Sequence, residues 1–121
     1  MEKQKIKERT YSFALEIINH VKALPYNTAT ISLGRQLIRS GTSVGANIEE
    51  AQGASSKKDF INKINIAKKE ARETRYWLRL INDSKLAKNI DNSKLLNEIN
   101  EIINILTAIV KTSEKNLQDN L

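Results

Sequence analysis

Glycine and proline are scarce in this chain, and turn-forming residues are confined to three short stretches. Four glycines and one proline occur in 121 residues. The three stretches span 24–28, 52–56 and 82–93, and each is rich in the residue types that end regular structure. They divide the chain into four segments of roughly 20 to 28 residues, which are too long for strands. The chain is therefore expected to form four long elements.

Apolar residues in the four segments recur at helical spacing, as Phe13, Ile17 and Val21 do in the first segment. Amphipathic helices joined by short loops pack as antiparallel neighbours. We predict an all-α fold, an antiparallel up-down-up-down four-helix bundle that forms one domain over residues 1–121. The predicted helices cover about 3–24, 28–52, 56–83 and 92–118.

Polar residues mark the predicted helix starts. Asn27 or Thr28 is a good N-cap for the second helix, since a short polar side chain can accept from a free backbone N–H of the first turn. Ser56 followed three residues later by Asp59 is a capping-box variant for the third helix.

The first and fourth helices carry more apolar surface than one core contact needs. Tyr11, Leu15 and Ile18 lie at i, i+4 and i+7, nearly opposite the core face of the first helix. The apolar arc of the fourth helix is about 180° wide, which exceeds the usual stripe of a surface helix. Both features favour further packing partners.

Composition narrows the class of protein. The chain has no cysteine, which excludes disulfide scaffolds and zinc ribbons. No apolar run approaches the ~20 residues of a membrane span, and the start resembles no signal peptide. We therefore expect a cytoplasmic protein without membrane association. The formal net charge of +6 suggests an anionic partner.

The positive charge is concentrated on the third helix, where residues 56–84 hold eight basic and four acidic residues. Four of these cations lie on one side of the helix at i, i+4, i+7 and i+11. We call them the basic ridge: Lys68, Arg72, Arg75 and Arg79. Such a ridge is typical of a phosphate-binding surface, although a solvated helix face has the same pattern.

The other side of the third helix is acidic and carries two large apolar residues. We call it the acidic flank: Ile66, Glu70, Glu73 and Trp77. If one subunit presents its basic ridge to the acidic flank of the next, the contact is heterologous and can close into a ring. The acidic flank is therefore a candidate oligomer interface. Trp77 could equally lie at the edge of the bundle's own core.

The second helix carries a row of polar residues beside its apolar stripe. We call this row the polar stripe: Gln36, Ser40, Ser43, Asn47 and Glu50. Because an unpartnered buried polar group costs about 1–3 kcal/mol, these side chains should bond across helices, line a subunit contact or meet a ligand.

The run from Gln36 to Ala51, QLIRSGTSVGANIEEA, resembles the signature of bacterial four-helix-bundle proteins related to the 23S rRNA-intervening sequence proteins. Phe60, Glu70 and Trp77 continue the resemblance in register. It implies a bundle that assembles as a homopentameric ring. A similar protein, the accessory variability determinant of diversity-generating retroelements, is a basic pentamer that binds nucleic acid and a reverse transcriptase.

Enzymatic interpretations find little support. A di-iron bundle needs paired Glu-x-x-His motifs, whereas the single histidine, His20, follows Ile17 at that spacing. A phosphate-binding glycine loop and a Ser-His-Asp set are also lacking. We expect no enzyme activity, no catalytic residues, no metal site and no cofactor, and we expect His20 to be a packed or boundary residue.

Two functions remain open. The first is a non-catalytic, sequence-tolerant RNA- or DNA-binding accessory factor that acts as a homo-oligomer through the basic ridge. The second is a protein-interaction scaffold, for example for a reverse transcriptase, whose basic ridge serves subunit or partner contacts and has no nucleic-acid role.

Overall fold

A computed structural model describes residues 2–119, with side chains from Lys5 onward, so Met1, Asn120 and Leu121 of the predicted domain lie outside the described residues. The prediction of an all-α, single-domain, four-helix fold is confirmed, and residues 2–119 contain no strand. None of their helices combines the length and apolar character needed to cross a bilayer. The helices are α1 (Glu2–Lys22), α2 (Thr28–Gln52), α3 (Lys57–Asp83) and α4 (Ser93–Asp119).

A proline explains where α1 ends, and a pair of hydrogen bonds explains where α2 begins. α1 stops two residues before the expected Leu24, because Pro25 cannot continue a helix and disfavours α geometry in the residue before it. Asn27 caps α2: its side chain accepts from the Thr30 N–H at 3.0 Å, and the Asn27 N–H donates to the Thr30 hydroxyl at 3.1 Å. This reciprocal pair is a capping box.

The starts of α3 and α4 are also fixed by side-chain oxygens. Ser56 accepts from the Asp59 N–H at 3.0 Å. The Asp59 carboxylate reaches back to the Ser55 N–H at 3.3 Å, one residue before the position of a full capping box. At the start of α4, Asp91 accepts from the backbone N–H of Ser93 at 2.9 Å and from its hydroxyl at 2.6 Å.

Each helix packs against the next, and α4 returns to α1, so the four enclose one core. Neighbours run antiparallel: Thr10 of α1 lies beside Gly45 of α2, whereas Ile17 lies beside Gly41. α1 and α2 approach closely, since a Cβ at position 45 would stand 3.3 Å from the Thr10 carbonyl oxygen. Small residues at these points allow the two backbones to meet.

The core contains the apolar stripes of all four helices, with two departures from the sequence pattern. Ile61 is buried while Phe60 is half-buried, although both stand at helical spacing from Ile64. On α4, Leu96 and Ile105 pack against the core, so the wide arc of this helix is used inside the bundle.

The second apolar set of α1 lies outside the core, as its spacing predicts. We call it the apolar row: Tyr11, Leu15 and Ile18, with 64%, 49% and 37% of their surface exposed.

Candidate nucleic-acid interface

Two cross-helix contacts fix how α3 is oriented in the bundle. Thr74 Oγ1 lies 2.9 Å from Ser40 Oγ of α2, and Arg75 Nη1 donates to Asn100 Oδ1 of α4 at 3.0 Å. The two sides of α3 therefore face different neighbours. The basic ridge follows the side next to α4, and the acidic flank follows the side next to α2.

The structure brings the four residues of the basic ridge together. Arg72 and Arg79 are exposed and Lys68 and Arg75 are half-buried. With Lys69 they line an open depression of about 670 Å³, formed by the long side chains of α3 alone. It is a furrow on a helix surface and not an enclosed cavity.

The cations of the basic ridge have no carboxylate partners within residues 5–119. The five ion pairs found there use Lys7, Arg9 and Arg39, and none uses a basic residue of α3. Glu73 also lines the depression, but its carboxylate is bonded to Arg39. The positive potential of the ridge is therefore compensated only weakly by its own chain.

Arg39 of α2 bonds both carboxylates of the acidic flank. Its Nη1 lies 3.1 Å from Glu70 Oε2, and its Nη2 donates to Glu73 Oε2. The hydrogen bond to Glu73 is the main reason that the pKa of the Arg39 guanidinium is raised. This contact neutralises within the chain the negative charge that we expected to face a neighbouring subunit.

The two large apolar residues of the acidic flank differ in environment. Ile66 is exposed. Trp77 is half-buried against the core, and its ring meets that of Tyr76 edge to face, with centroids 5.1 Å apart and an interplanar angle of 72°. The indole Nε1 is buried and finds no acceptor in the described part of the chain. Trp77 thus lies at the edge of the core, one of its two predicted locations.

The polar stripe of α2 is mostly bonded within the bundle. Ser40 is fully buried and pairs with Thr74. Ser43 donates to the Arg39 carbonyl at 2.6 Å, and Asn47 donates to the Ser43 carbonyl at 2.8 Å. The two ends of the stripe, Gln36 and Glu50, are exposed, and Gln36 accepts from Arg39 at 3.3 Å.

His20 lies in the interior at the end of α1. Burial lowers its pKa, and the nearby side chain of Asn92 opposes this shift. Within the described residues, neither His20 Nε2 nor Asn92 Oδ1 makes a hydrogen bond of good geometry. In residues 5–119, no three His, Asp or Glu side chains come together in a way that could hold a metal ion.

Sequence reasoning missed three features of this surface. Tyr76 and Lys69 line the depression, and helical spacing could have found both, because they lie three or four residues from Arg72. The pairing of Arg39 with α3 had no sequence signal, since its partners are 31 and 34 residues away.

A solved structure similar to this chain has the same fold. No curated protein matches significantly. The crystal structure of a protein with unknown function from the S23 ribosomal protein family of Bacteroides thetaiotaomicron VPI-5482 is 40% identical, with a TM-score of 0.85 over 92% of this chain and 99% of that one. Residues 2–108 match the family model of the 23S rRNA-intervening sequence protein. The chain therefore belongs to the 23S rRNA-intervening sequence protein family.

Proposed function

We propose that this protein is a non-catalytic, sequence-tolerant nucleic-acid-binding accessory factor that acts as a homo-oligomer. The observation that carries the proposal is the basic ridge. Its cations lie side by side along α3 without carboxylate partners among residues 5–119. Neither the name of the matched family nor that of the solved relative states an activity.

The dimensions and chemistry of the ridge suit a phosphate backbone. Lys68 and Arg79 lie eleven residues apart, or about 16 Å along the helix. Arginine forks and lysine ammonium groups both contact phosphate oxygens, and such contacts carry no sequence information. Asn100 of α4 flanks the ridge and holds Arg75 in place, adding a neutral group and no competing charge.

A charge-reversal titration tests the proposal. The affinity of wild type and of Arg72→Glu/Arg75→Glu for a labelled oligonucleotide is measured between about 50 and 200 mM salt. We expect the variant to bind more weakly and the slope of log K against log salt to fall by about 1.5, since each lost phosphate contact removes roughly 0.7 to 0.9.

A matched control separates the ridge from net charge. Arg35→Glu/Lys94→Glu removes the same amount of positive charge from exposed positions on α2 and α4, and it should keep most of the wild-type affinity. If the two double variants weaken binding equally, or if Arg72→Glu/Arg75→Glu binds like wild type, the basic ridge is not a nucleic-acid site.

Self-association is supported by a different observation. The apolar row of α1 is exposed in the single chain, and exposed apolar side chains that adjoin one another are typical of protein contacts. We propose that a second copy of this chain covers the row. The family resemblance suggests a ring of five subunits, in which several basic ridges would add avidity.

A further inference from the structure

We propose that the depression on α3 receives a single nucleic-acid strand, with Tyr76 as the platform on which one unpaired base stacks. The inference rests on the proposed function and names its ligand class. Tyr76 has 54% of its surface exposed and lines the same depression as the basic ridge. An aromatic ring and a row of cations therefore share one surface.

Helix geometry places Tyr76 among cations. It follows Arg72 by four residues and precedes Arg79 by three, so all three lie on one face of α3. The phosphates of a strand that follows the ridge would lie along the guanidinium groups, with the bases free to turn toward the ring. Basic grooves with adjacent aromatic side chains are the usual device for binding single strands.

The same geometry disfavours a duplex. In a double helix the bases are paired and stacked, so a side chain on the outside cannot reach their faces. The ridge is also one row on one convex helix, whereas a duplex presents two phosphate rows across a groove. Tyr76 should therefore contribute to single-strand binding and add little to duplex binding.

Trp77 packs against the ring of Tyr76. The edge-to-face contact of the two rings and the packing of Trp77 against the core restrict the movement of Tyr76. A ring held in advance loses less freedom when a base stacks on it. Trp77 is also the single tryptophan of the chain, so its fluorescence reports on this contact.

The experiment compares wild type, Tyr76→Ala and Tyr76→Phe on oligo(dT) and oligo(rU) of about 12 nucleotides and on a DNA duplex of the same length. We expect Tyr76→Ala to weaken binding to at least one single strand by about fivefold or more, with duplex binding changed less than twofold. Tyr76→Phe keeps the ring and should bind like wild type. Binding of that strand should change the emission of Trp77.

Tyr26→Ala is the matched control, because Tyr26 is exposed in the loop before α2 and does not line the depression. It should bind every oligonucleotide like wild type. The inference is overturned if Tyr76→Ala binds both single strands like wild type, or if it loses the same factor on single strand and duplex.

Failure of the proposed function can be distinguished from failure of the stacking role of Tyr76. If Arg72→Glu/Arg75→Glu binds single strands like wild type, the proposed function fails and this inference fails with it. If that variant loses binding while Tyr76→Ala does not, phosphate contact stands and only the stacking role of Tyr76 is refuted.

Discussion

The hydroxyl groups of Ser40 and Thr74 meet 2.9 Å apart in the fully buried contact between α2 and α3. Each oxygen also lies near a carbonyl of its own helix: Thr74 Oγ1 is 2.8 Å from the Glu70 oxygen, and Ser40 Oγ is 3.5 Å from the Leu37 oxygen. The pair satisfies two polar groups that would otherwise be buried at a cost. It also fixes which residue of α2 faces which residue of α3.

Removing one hydroxyl should therefore destabilise the bundle. Thr74→Val leaves Ser40 with only its long carbonyl contact, and we expect a loss of about 1–3 kcal/mol in the free energy of unfolding. Ser40→Ala should cost less, about 1 kcal/mol, because Thr74 keeps its bond to Glu70. The double variant should cost less than the sum of the two single ones. Urea unfolding measures all three, and strictly additive losses would contradict a direct coupling.

Gly41 is the second position where α2 depends on a close fit. A Cβ there would stand 3.1 Å from two atoms of the buried Ile17 side chain. Overpacking of this kind costs about 1–3 kcal/mol, which exceeds the gain of about 1 kcal/mol from replacing a mid-helix glycine. We expect Gly41→Ala to lower the free energy of unfolding by about 1 kcal/mol.

Gly53 provides the control for this substitution. It caps α2 with φ −99°, which any residue can adopt, and its nearest neighbour for a Cβ is 3.9 Å away. Gly53→Ala should change stability by less than about 0.5 kcal/mol. Equal effects of the two substitutions would show that the contact with Ile17 is not decisive.

Helical periodicity was sufficient to predict the four helices and most of the core, because each buried stripe repeats every three or four residues. It could not choose between Phe60 and Ile61, since both stand at helical spacing from Ile64 and the neighbouring helix decides which is buried. It also gave α4 surplus apolar surface, whereas Leu96 and Ile105 pack on the core, because α4 contacts both α3 and α1.

The candidate site also has some features that the sequence predicts and others that it does not. The basic ridge could be located from sequence, because residues on one helix have fixed relative positions. The bond from Arg39 to Glu70 and Glu73 could not, because it depends on how α2 and α3 dock. Tyr76 also stands at helical spacing from Arg72, but the sequence does not show that its ring is exposed or that it lines the depression.

Arg39 should influence nucleic-acid binding without touching the ligand. Arg39→Gln leaves Glu70 and Glu73 unpaired on the helix that carries the basic ridge, and their negative charge acts over about 30 Å at 10 mM salt. We expect a loss of a few-fold in oligonucleotide affinity at low salt that becomes smaller near physiological salt but does not vanish, because Glu73 lines the depression itself. Because both partners are at least partly exposed, stability should fall by no more than about 1 kcal/mol.

Arg9→Gln is a closely matched control for this variant. Arg9 also bonds two carboxylates, Glu98 at 2.6 Å and Glu101 at 3.1 Å, but these belong to α4 and not to the helix of the ridge. It should lose similar stability and little affinity. If both variants weaken binding equally at low salt, the effect comes from net charge alone.

His20 should make stability depend on pH. Burial lowers the pKa of its imidazole below the ordinary 6.5, so the unfolded chain takes up a proton at a higher pH than the folded one. The free energy of unfolding should therefore fall as pH drops below about 6.5, until the folded histidine is also protonated. In His20→Gln, denaturant unfolding between pH 7 and 5 should show a flatter pH dependence.

Asp91 provides a second, separate pH window. Hydrogen bonds from the Ser93 hydroxyl and backbone N–H lower the pKa of this carboxyl below the ordinary 3.8. Its stabilising effect is present above that value and is lost as pH falls through the lower, folded pKa. Asp91→Asn should leave the slope between pH 7 and 5 unchanged. If the slope between pH 7 and 5 is flattened in Asp91→Asn, or unchanged in His20→Gln, the pH dependence in this range does not come from His20.

A matched pair of variants distinguishes the two candidate oligomer interfaces, the apolar row and the acidic flank. Leu15 of the apolar row and Ile66 of the acidic flank are similarly exposed, at 49% and 42%, on different helices. We expect wild type to sediment well above the 13.7 kDa monomer and Leu15→Glu to shift toward it, because a charge buried in an apolar contact is strongly unfavourable.

Ile66→Glu should keep the wild-type mass, since Arg39 already neutralises the carboxylates beside it. If Ile66→Glu and Trp77→Ala dissociate the assembly while Leu15→Glu does not, subunits meet through the acidic flank. A wild-type mass of 13.7 kDa would refute self-association altogether.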